Sequence, residues 1–156
     1  MAENSGRELI LLKVVDLMGE ISSILAVVRT RLGFNDLGGY SGEQLPLIAV
    51  VGSLPKPSPK KSGRTYGVSD KFISDLNVDL FCYAMDNENP DSLVSNLADD
   101  IWAKVFSDPT LITTDYPRGL TIDLDVNPEI KVGIWDPYIV FKIACVYKYV
   151  HGTGGI

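Results

Sequence analysis

The sequence predicts one α+β domain over residues 1–156, with two main helices packed on a mostly antiparallel or mixed sheet of about four to five strands. Apolar residues recur at the helical period in two segments. Elsewhere they alternate or form short runs, as strands do. The elements follow in the order helix, strand, long loop, strand, helix, hairpin and final strand, which is typical of an α+β domain. The predicted strands span residues 47–51, 75–85, 120–126, 130–134 and 138–150.

The composition is that of a globular protein. Of the 156 residues, 46% are hydrophobic and 22% are charged, which suits a single domain with one core. The net charge of −6 argues against binding to a nucleic-acid backbone as the main task. Charged residues interrupt the apolar N-terminal segment, so we expect neither a signal peptide nor a membrane span there, and a protein made in the cytoplasm. These residues are Glu3, Glu8, Lys13, Asp16 and Glu20.

The N-terminal segment predicts one long helix from Ser5 to Leu32. Ser5 and Glu8 have the spacing of a capping box, and Gly33 suits the position after the last turn. The segment holds more apolar residues than one helix face requires. Either the helix is deeply buried, or its second face packs on another subunit.

Residues 75–85 alternate and predict a strand with one buried face, whereas the short apolar run 47–51 suits a central strand covered on both faces. Leu76, Val78, Leu80 and Cys82 share the predicted buried face. The opposite face begins polar and turns aromatic at Phe81 and Tyr83, so a neighbouring element or subunit should cover that end. We therefore treat these two aromatic residues as interface candidates.

The second helix follows this strand. Asn89 is placed to be its N-cap, Pro90 suits its first position, and Pro109 limits its end. Residues 120–126 and 130–134 then predict an antiparallel hairpin with Leu120, Ile122, Leu124 and Val126 pointing inward. In the final strand one face is apolar and aromatic, and the other carries Lys142 and Lys148.

A long basic loop is predicted between the first two strands, over residues 53–71. Prolines, glycines and basic residues leave it almost nothing to bury. It is either a solvated loop or an arm that docks on an acidic partner surface. Nucleic acid is a weaker alternative because no series of stacking aromatics accompanies the charges. The interface candidates in the loop are Lys56, Lys60, Lys61 and Arg64.

No catalytic, cofactor-binding or metal-binding residues are predicted. Cys82 and Cys145 lie in apolar strand patterns, which favours two buried reduced thiols. His151 therefore has no available nucleophile beside it. Asp123 and Asp125 share a strand face, but no further ligand lies within sequence reach. The adjacent carboxylates at 99–100 do not face the same way on a helix. We predict that the chain is not an enzyme.

The arrangement of elements resembles the tail terminator, or tail completion, proteins of long-tailed bacteriophages. The resemblance is carried by LPLIAVV after the first helix, by the strand, turn and helix of residues 75–111, and by VFKIACVYKY near the end. Many members of that family have Gly-Gly soon after the second helix. This chain instead has Leu111-Ile112-Thr113-Thr114.

The resemblance implies a structural virion protein of the phage tail or neck, which forms a hexameric ring that caps the tail tube and stops its polymerisation. Its implied partners are further copies of itself, the tail tube protein and a head completion or neck protein. DNA would pass through the lumen only as cargo, and an acidic lumen would keep DNA from sticking. Two alternatives stay open: a head-side neck or head–tail joining protein, and a small cytoplasmic enzyme or ligand-binding domain.

Overall fold

The computed structural model describes residues 6–33, 45–54, 56–57, 71–85, 89–127, 129–135 and 138–152. This part of the chain contains two helices and a seven-stranded mixed sheet, so the predicted α+β class is confirmed. The five predicted strands are all present, and two short strands join them. The elements are α1 (Gly6–Gly19), β1 (Ala26–Val28), β2 (Leu47–Gly52), β3 (Lys56–Pro57), β4 (Lys71–Met85), α2 (Pro90–Ser107), β5 (Asp123–Val126), β6 (Lys131–Trp135) and β7 (Tyr138–Gly152).

Two long strands form the centre of the sheet. β4 and β7 have 15 residues each and pair antiparallel over their full length. β2 and β3 pair antiparallel with the other side of β4, and β5 and β6 pair antiparallel with the other side of β7. β1 pairs with β2 in parallel and forms one edge of the sheet. The strand order is therefore β1-β2-β4-β7-β5, with β3 beside β4 and β6 beside β7.

Both helices contribute to one core on the same side of the sheet. The predicted inward residues of β4, from Leu76 to Cys82, lie in this core, as do Phe141, Ile143 and Tyr147 of β7. Burial of this apolar area is the main stabilising term of such a layer pair. In α2, Asn89 and Pro90 occupy the predicted positions, and the Asn89 carbonyl accepts the first helical hydrogen bond from Leu93 N–H, at 3.1 Å.

The prediction of one long N-terminal helix is wrong, because α1 ends at Gly19. The chain turns, and residues 26–28 form strand β1 beside β2. Val27 and Val28 are β-branched and suit a strand, where their backbone groups pair with β2. The Arg29 side chain then reaches back to Glu8 on α1, at 2.9 Å. The predicted cap Ser5 lies outside the described residues.

A second, smaller apolar cluster lies on the other side of the sheet. The Tyr83 hydroxyl donates to the Leu32 carbonyl, at 3.1 Å, and accepts from the Leu32 N–H, at 3.0 Å. The predicted cover over the aromatic end of β4 is thus a neighbouring element of the same chain. The cluster comprises Leu32, Leu45, Leu47, Ala49, Phe81 and Tyr83.

Several predicted boundaries differ from the structure. β4 begins at Lys71, and β3 lies inside the predicted loop 53–71, so only part of that segment is a loop. Residues 58–70 lie outside the described residues. β5 begins at Asp123 instead of Leu120, because Leu120 N–H and Thr121 N–H bond to the carbonyls of the preceding turn, at 3.0 and 3.1 Å. Ile122 is accordingly 43% exposed and does not point inward.

Candidate interaction surface

The side of the sheet that faces away from the helices is the candidate functional surface. We call it the open face. Its residues are the alternate positions of β4, β7, β5 and β6, opposite to those in the helix-covered core. Most of them are half-buried. Cross-strand register arranges their side chains in rows across the sheet, and charge changes from row to row.

The first row combines acidic and basic residues. Asp75 of β4 lies opposite Lys148 of β7, which lies opposite Asp123 of β5. Lys148 Nζ is 3.1 Å from Asp75 Oδ1 and 3.8 Å from Asp125 Oδ2, so one ammonium lies between carboxylates of two strands. We call Asp75, Asp123 and Asp125 the acidic patch. Lys148 contacts two of these carboxylates, and the backbone of Lys56 on β3 lies opposite Asp75.

A basic row crosses the same face farther along the strands. Lys142 of β7 lies opposite Phe81 of β4 on one side and opposite Lys131 of β6 on the other. The Arg31 guanidinium carbon lies 4.8 Å from the centroid of the Phe81 ring, a cation–π distance. We call Arg31, Lys142 and Lys131 the basic row.

The structure places the predicted interface residues unevenly. Tyr83 is fully buried and Phe81 is only 8% exposed. Residues of the same chain cover both side chains. Lys56 lies in β3, where its backbone pairs with Asp75. Lys60, Lys61 and Arg64 lie outside the described residues, so the docking role of the loop stays a prediction.

Sequence reasoning missed the basic row and the grouping of the acidic patch. Both depend on the pairing of strands that are distant in sequence. The alternation of β5 and of β7 did place Asp123 and Asp125 on one face, and Lys142 and Lys148 on one face. Alternation within one strand does not show which residues of different strands share a row.

The two cysteine thiols are buried. Cys82 and Cys145 are free and buried, as predicted. Burial raises the pKa of the Cys82 thiol far above its ordinary value, and burial together with the charge of Asp79 raises the pKa of Cys145 to about 12. Both thiols are thus protonated at neutral pH and are poor nucleophiles.

The described residues contain neither a metal-binding cluster nor a helix suited to span a membrane. Within them, no group of three or more His, Cys, Asp and Glu side chains is placed to hold a metal ion. In the same part of the chain, no helix combines the length and the apolar character needed to cross a membrane.

No protein-family model matches the chain, and no curated protein matches it. The functional argument therefore rests on the geometry and the physical chemistry of the described residues.

Proposed function

We propose that this chain is a structural virion protein that assembles as a ring on the end of a phage tail tube, stops tube polymerisation and forms the interface to the head or neck. The α+β fold and the sequence resemblance described above support this proposal. The observation that carries it is an exposed apolar surface on the helix layer, of the kind that a subunit contact covers.

This helix-layer surface combines α1 with the end of α2. Leu12 is 40% exposed, Phe106 is 57% exposed and Ile112 is 51% exposed. Lys13, which follows Leu12, reaches Asp108 at 4.0 Å, and Asp108 accepts the N–H of Ile112 at 3.0 Å. These contacts bring the two segments together at one place on the surface.

A ring requires two different surfaces on each subunit, because its contacts are heterologous. The helix-layer surface supplies one of them. The basic loop of residues 53–71 is our candidate for part of the other, since its lysines and arginine suit the surface of an acidic neighbour. Exposed ion pairs contribute only about 0–1 kcal/mol each, so the loop would add specificity more than strength.

The direct test is the mass of the assembly. Native mass spectrometry and symmetry-averaged electron microscopy, with and without tail tubes, should show a closed ring on the tube end. The family named above implies six copies. Monomers alone, even with tubes present, would reject the ring.

A variant sharpens this test. Phe106→Ser should abolish the ring and leave thermal unfolding nearly unchanged, because an exposed side chain contributes little to the fold. Val132→Ser is the matched control, since Val132 is also exposed, at 54%, but lies on edge strand β6. Equal ring formation by both variants and the parent chain would contradict a role for the helix-layer surface.

Charge reversal tests the loop separately. Replacing Lys60, Lys61 and Arg64 together by Glu should weaken tube capping, most clearly at moderate salt where screening has already reduced the attraction. Unfolding of the free chain should be almost unchanged. Normal capping across a salt series would show that the loop has no docking role.

A further inference from the structure

Strand β1 forms an edge of the sheet, and among the described residues no strand lies on its outer side. β1 pairs with β2 on the inner side. An edge strand directs part of its N–H and C=O groups away from the sheet, where they are free to pair with another extended segment. The outer side of β1 is therefore a template for a further strand.

The two edges of the sheet differ in their side chains. At the opposite edge, β5 carries Asp123 and Asp125, and β6 carries Lys131. Charged side chains on an edge strand discourage pairing with other chains. β1 has the sequence Ala-Val-Val, with no charge and no proline, and its valines favour strand pairing. Of the two edges, β1 is the better suited to accept a strand.

A groove lies between this edge and the second half of α1. Its volume is about 480 Å³, which is within the range of about 300–1,000 Å³ that ligand pockets have. We call it the edge groove. Leu25 in its wall is 53% exposed although it is apolar, so it is available to contact an apolar side chain. The apolar part of the groove is formed by Val15, Ile24, Leu25 and Val27.

The rim of the edge groove is acidic. Asp16 and Glu20, one turn apart on α1, line it and are both exposed. In the described part of the chain Asp16 forms no ion pair, because Lys13, one turn before it, reaches Asp108 at 4.0 Å. Glu20 contacts Lys104 at 3.5 Å, but its side chain stays 58% exposed. A cation at this rim would be attracted by both carboxylates.

The walls of the edge groove are held in place by the fold. Val27 packs on the helix-covered core, whereas Ala26 and Val28 pack on the small cluster at the other side of the sheet. The Arg29 side chain joins the end of β1 to Glu8 of α1, at 2.9 Å. A preformed site of this kind has little ordering cost when it binds a ligand.

We propose that the edge groove binds an extended segment of a partner protein, which pairs with β1 as an added strand. Alternate side chains of that segment lie on the α1 side of the sheet. On that side, one apolar side chain enters the groove and a neighbouring lysine or arginine lies beside Asp16 and Glu20. Because β1 has only three residues, the backbone pairing is short and the groove supplies most of the specificity.

This contact is independent of the proposed ring. The edge groove contains none of the residues Leu12, Phe106 and Ile112 that form the helix-layer surface. Loss of peptide binding and loss of the ring are therefore measured separately.

Binding of synthetic peptides to the full chain tests the proposal, with fluorescence anisotropy as the readout. In the first octapeptide, threonine occupies every second position, and valine and lysine alternate at the others. In the second, glutamate replaces lysine. The lysine peptide should bind, and the glutamate peptide should bind at least about tenfold more weakly because the acidic rim repels it.

Two N-methylated forms of the lysine peptide test the backbone pairing. One is methylated at the threonines and the other at the remaining positions, so each lacks the N–H donors along one edge. One form should lose binding and the other should keep it, because an added strand pairs along one edge only.

Gly19→Gln tests the groove itself. Gly19 lines the groove, and a Cβ placed on it would meet no heavy atom within 4 Å, so the fold has room for a side chain there. The added side chain should raise the dissociation constant of the lysine peptide at least about tenfold. Gly133→Gln on β6 is the matched control, since a Cβ there would meet only the Val140 carbonyl oxygen, at 3.9 Å. It should bind like the parent chain.

Asp16→Lys tests the rim. It should reverse the order of the two peptides, so that the glutamate peptide binds more tightly than the lysine peptide. Asp99→Lys is the matched control, because Asp99 is also exposed but lies on α2, and it should leave the order unchanged. Thermal unfolding of each variant verifies that it is folded.

Four results would overturn the proposal. The first is no binding of the lysine peptide to the parent chain at concentrations up to about 1 mM. The second is equal binding by folded Gly19→Gln, and the third is an unchanged order of the peptides with Asp16→Lys. The fourth is self-association of the parent chain that Gly19→Gln abolishes, because the groove would then hold a second copy of the chain.

Discussion

The two faces of the β4–β7 pair differ sharply, although the same two strands build both. On the helix-covered face, Leu80 and Ile143 are cross-strand partners and are almost completely buried. One residue farther along each strand, Phe81 and Lys142 face each other on the open face. The difference shows that one alternating sequence can carry stability on one side and recognition on the other, because successive side chains point to opposite faces.

The buried tyrosines on the two faces also differ in the hydrogen bonds of their hydroxyl groups. Tyr83, on the side of the small cluster, forms two hydrogen bonds with Leu32. Tyr147 lies under the helices, and in the described part of the chain its hydroxyl has no hydrogen-bond partner. Burial is the main cause that raises the pKa of Tyr147 above its ordinary value, so the hydroxyl stays neutral. The helix-covered face thus contains a buried hydroxyl, that of Tyr147, that gains no hydrogen bond from the described residues.

The largest expected effect is on the covered face. Leu80→Ala should lower the free energy of unfolding by about 3 kcal/mol, because it leaves a cavity between sheet and helices. The matched change on the open face, Val146→Ala, should cost about 1 kcal/mol or less, since Val146 is only half-buried. Urea unfolding of both variants measures the contrast. Equal losses of unfolding free energy would contradict the view that the helix-covered face contributes more to stability than the open face.

The next effect concerns the small cluster. Tyr83→Phe should lower the free energy of unfolding by about 2 kcal/mol, because the N–H and carbonyl of Leu32 lose the hydroxyl they share. Hydrogen exchange at the Leu32 amide should accelerate as well. An unchanged exchange rate would show that this hydroxyl does not hold the segment after β1 against the sheet.

A smaller effect is expected at the rim of the covered face, where α1 meets the end of β1. The hydrogen bond from Arg29 lowers the pKa of Glu8 below its ordinary value of 4.5, so the pair stabilises the fold above that pH. This stability is lost as the pH falls through the lowered pKa. Both side chains are about a third exposed, so Glu8→Gln should cost at most about 1 kcal/mol at neutral pH.

Denaturant unfolding of the parent chain and of Glu8→Gln, over a series from neutral pH to acidic pH, tests this point. The two stabilities should converge at the acidic pH, where Glu8 gains a proton and the pair is lost. A difference that persists there would show that the side chain acts through packing instead of charge.

The smallest effect is expected at Tyr147. Tyr147→Phe should leave the free energy of unfolding unchanged within about 0.5 kcal/mol or raise it, because a buried hydroxyl without a partner is removed. It is the direct counterpart of Tyr83→Phe on the opposite face. A loss comparable to that of Tyr83→Phe would reveal a partner of the hydroxyl and remove the contrast between the two tyrosines.

Features that depend on local periodicity could be predicted from the amino-acid sequence. The alternation of Leu76, Val78, Leu80 and Cys82 predicted which face of β4 is buried, and the turn at Asn89-Pro90 predicted where α2 begins. Both signals are local, because a strand repeats every two residues and a helix start depends on the few residues beside it. Together with the order of the elements, they were enough for the α+β class.

Features that depend on partners distant in sequence became visible only in the folded chain. Residues 20–28 were predicted to be helical because their apolar residues have helical spacing. In the structure, Val27 and Val28 pair with β2 instead. The sequence around them does not show that β2 lies beside them. The rows of the open face were decided in the same way. Lys131 and Lys142 oppose each other, and Lys148 lies between Asp75 and Asp125, because register joins strands far apart in the chain.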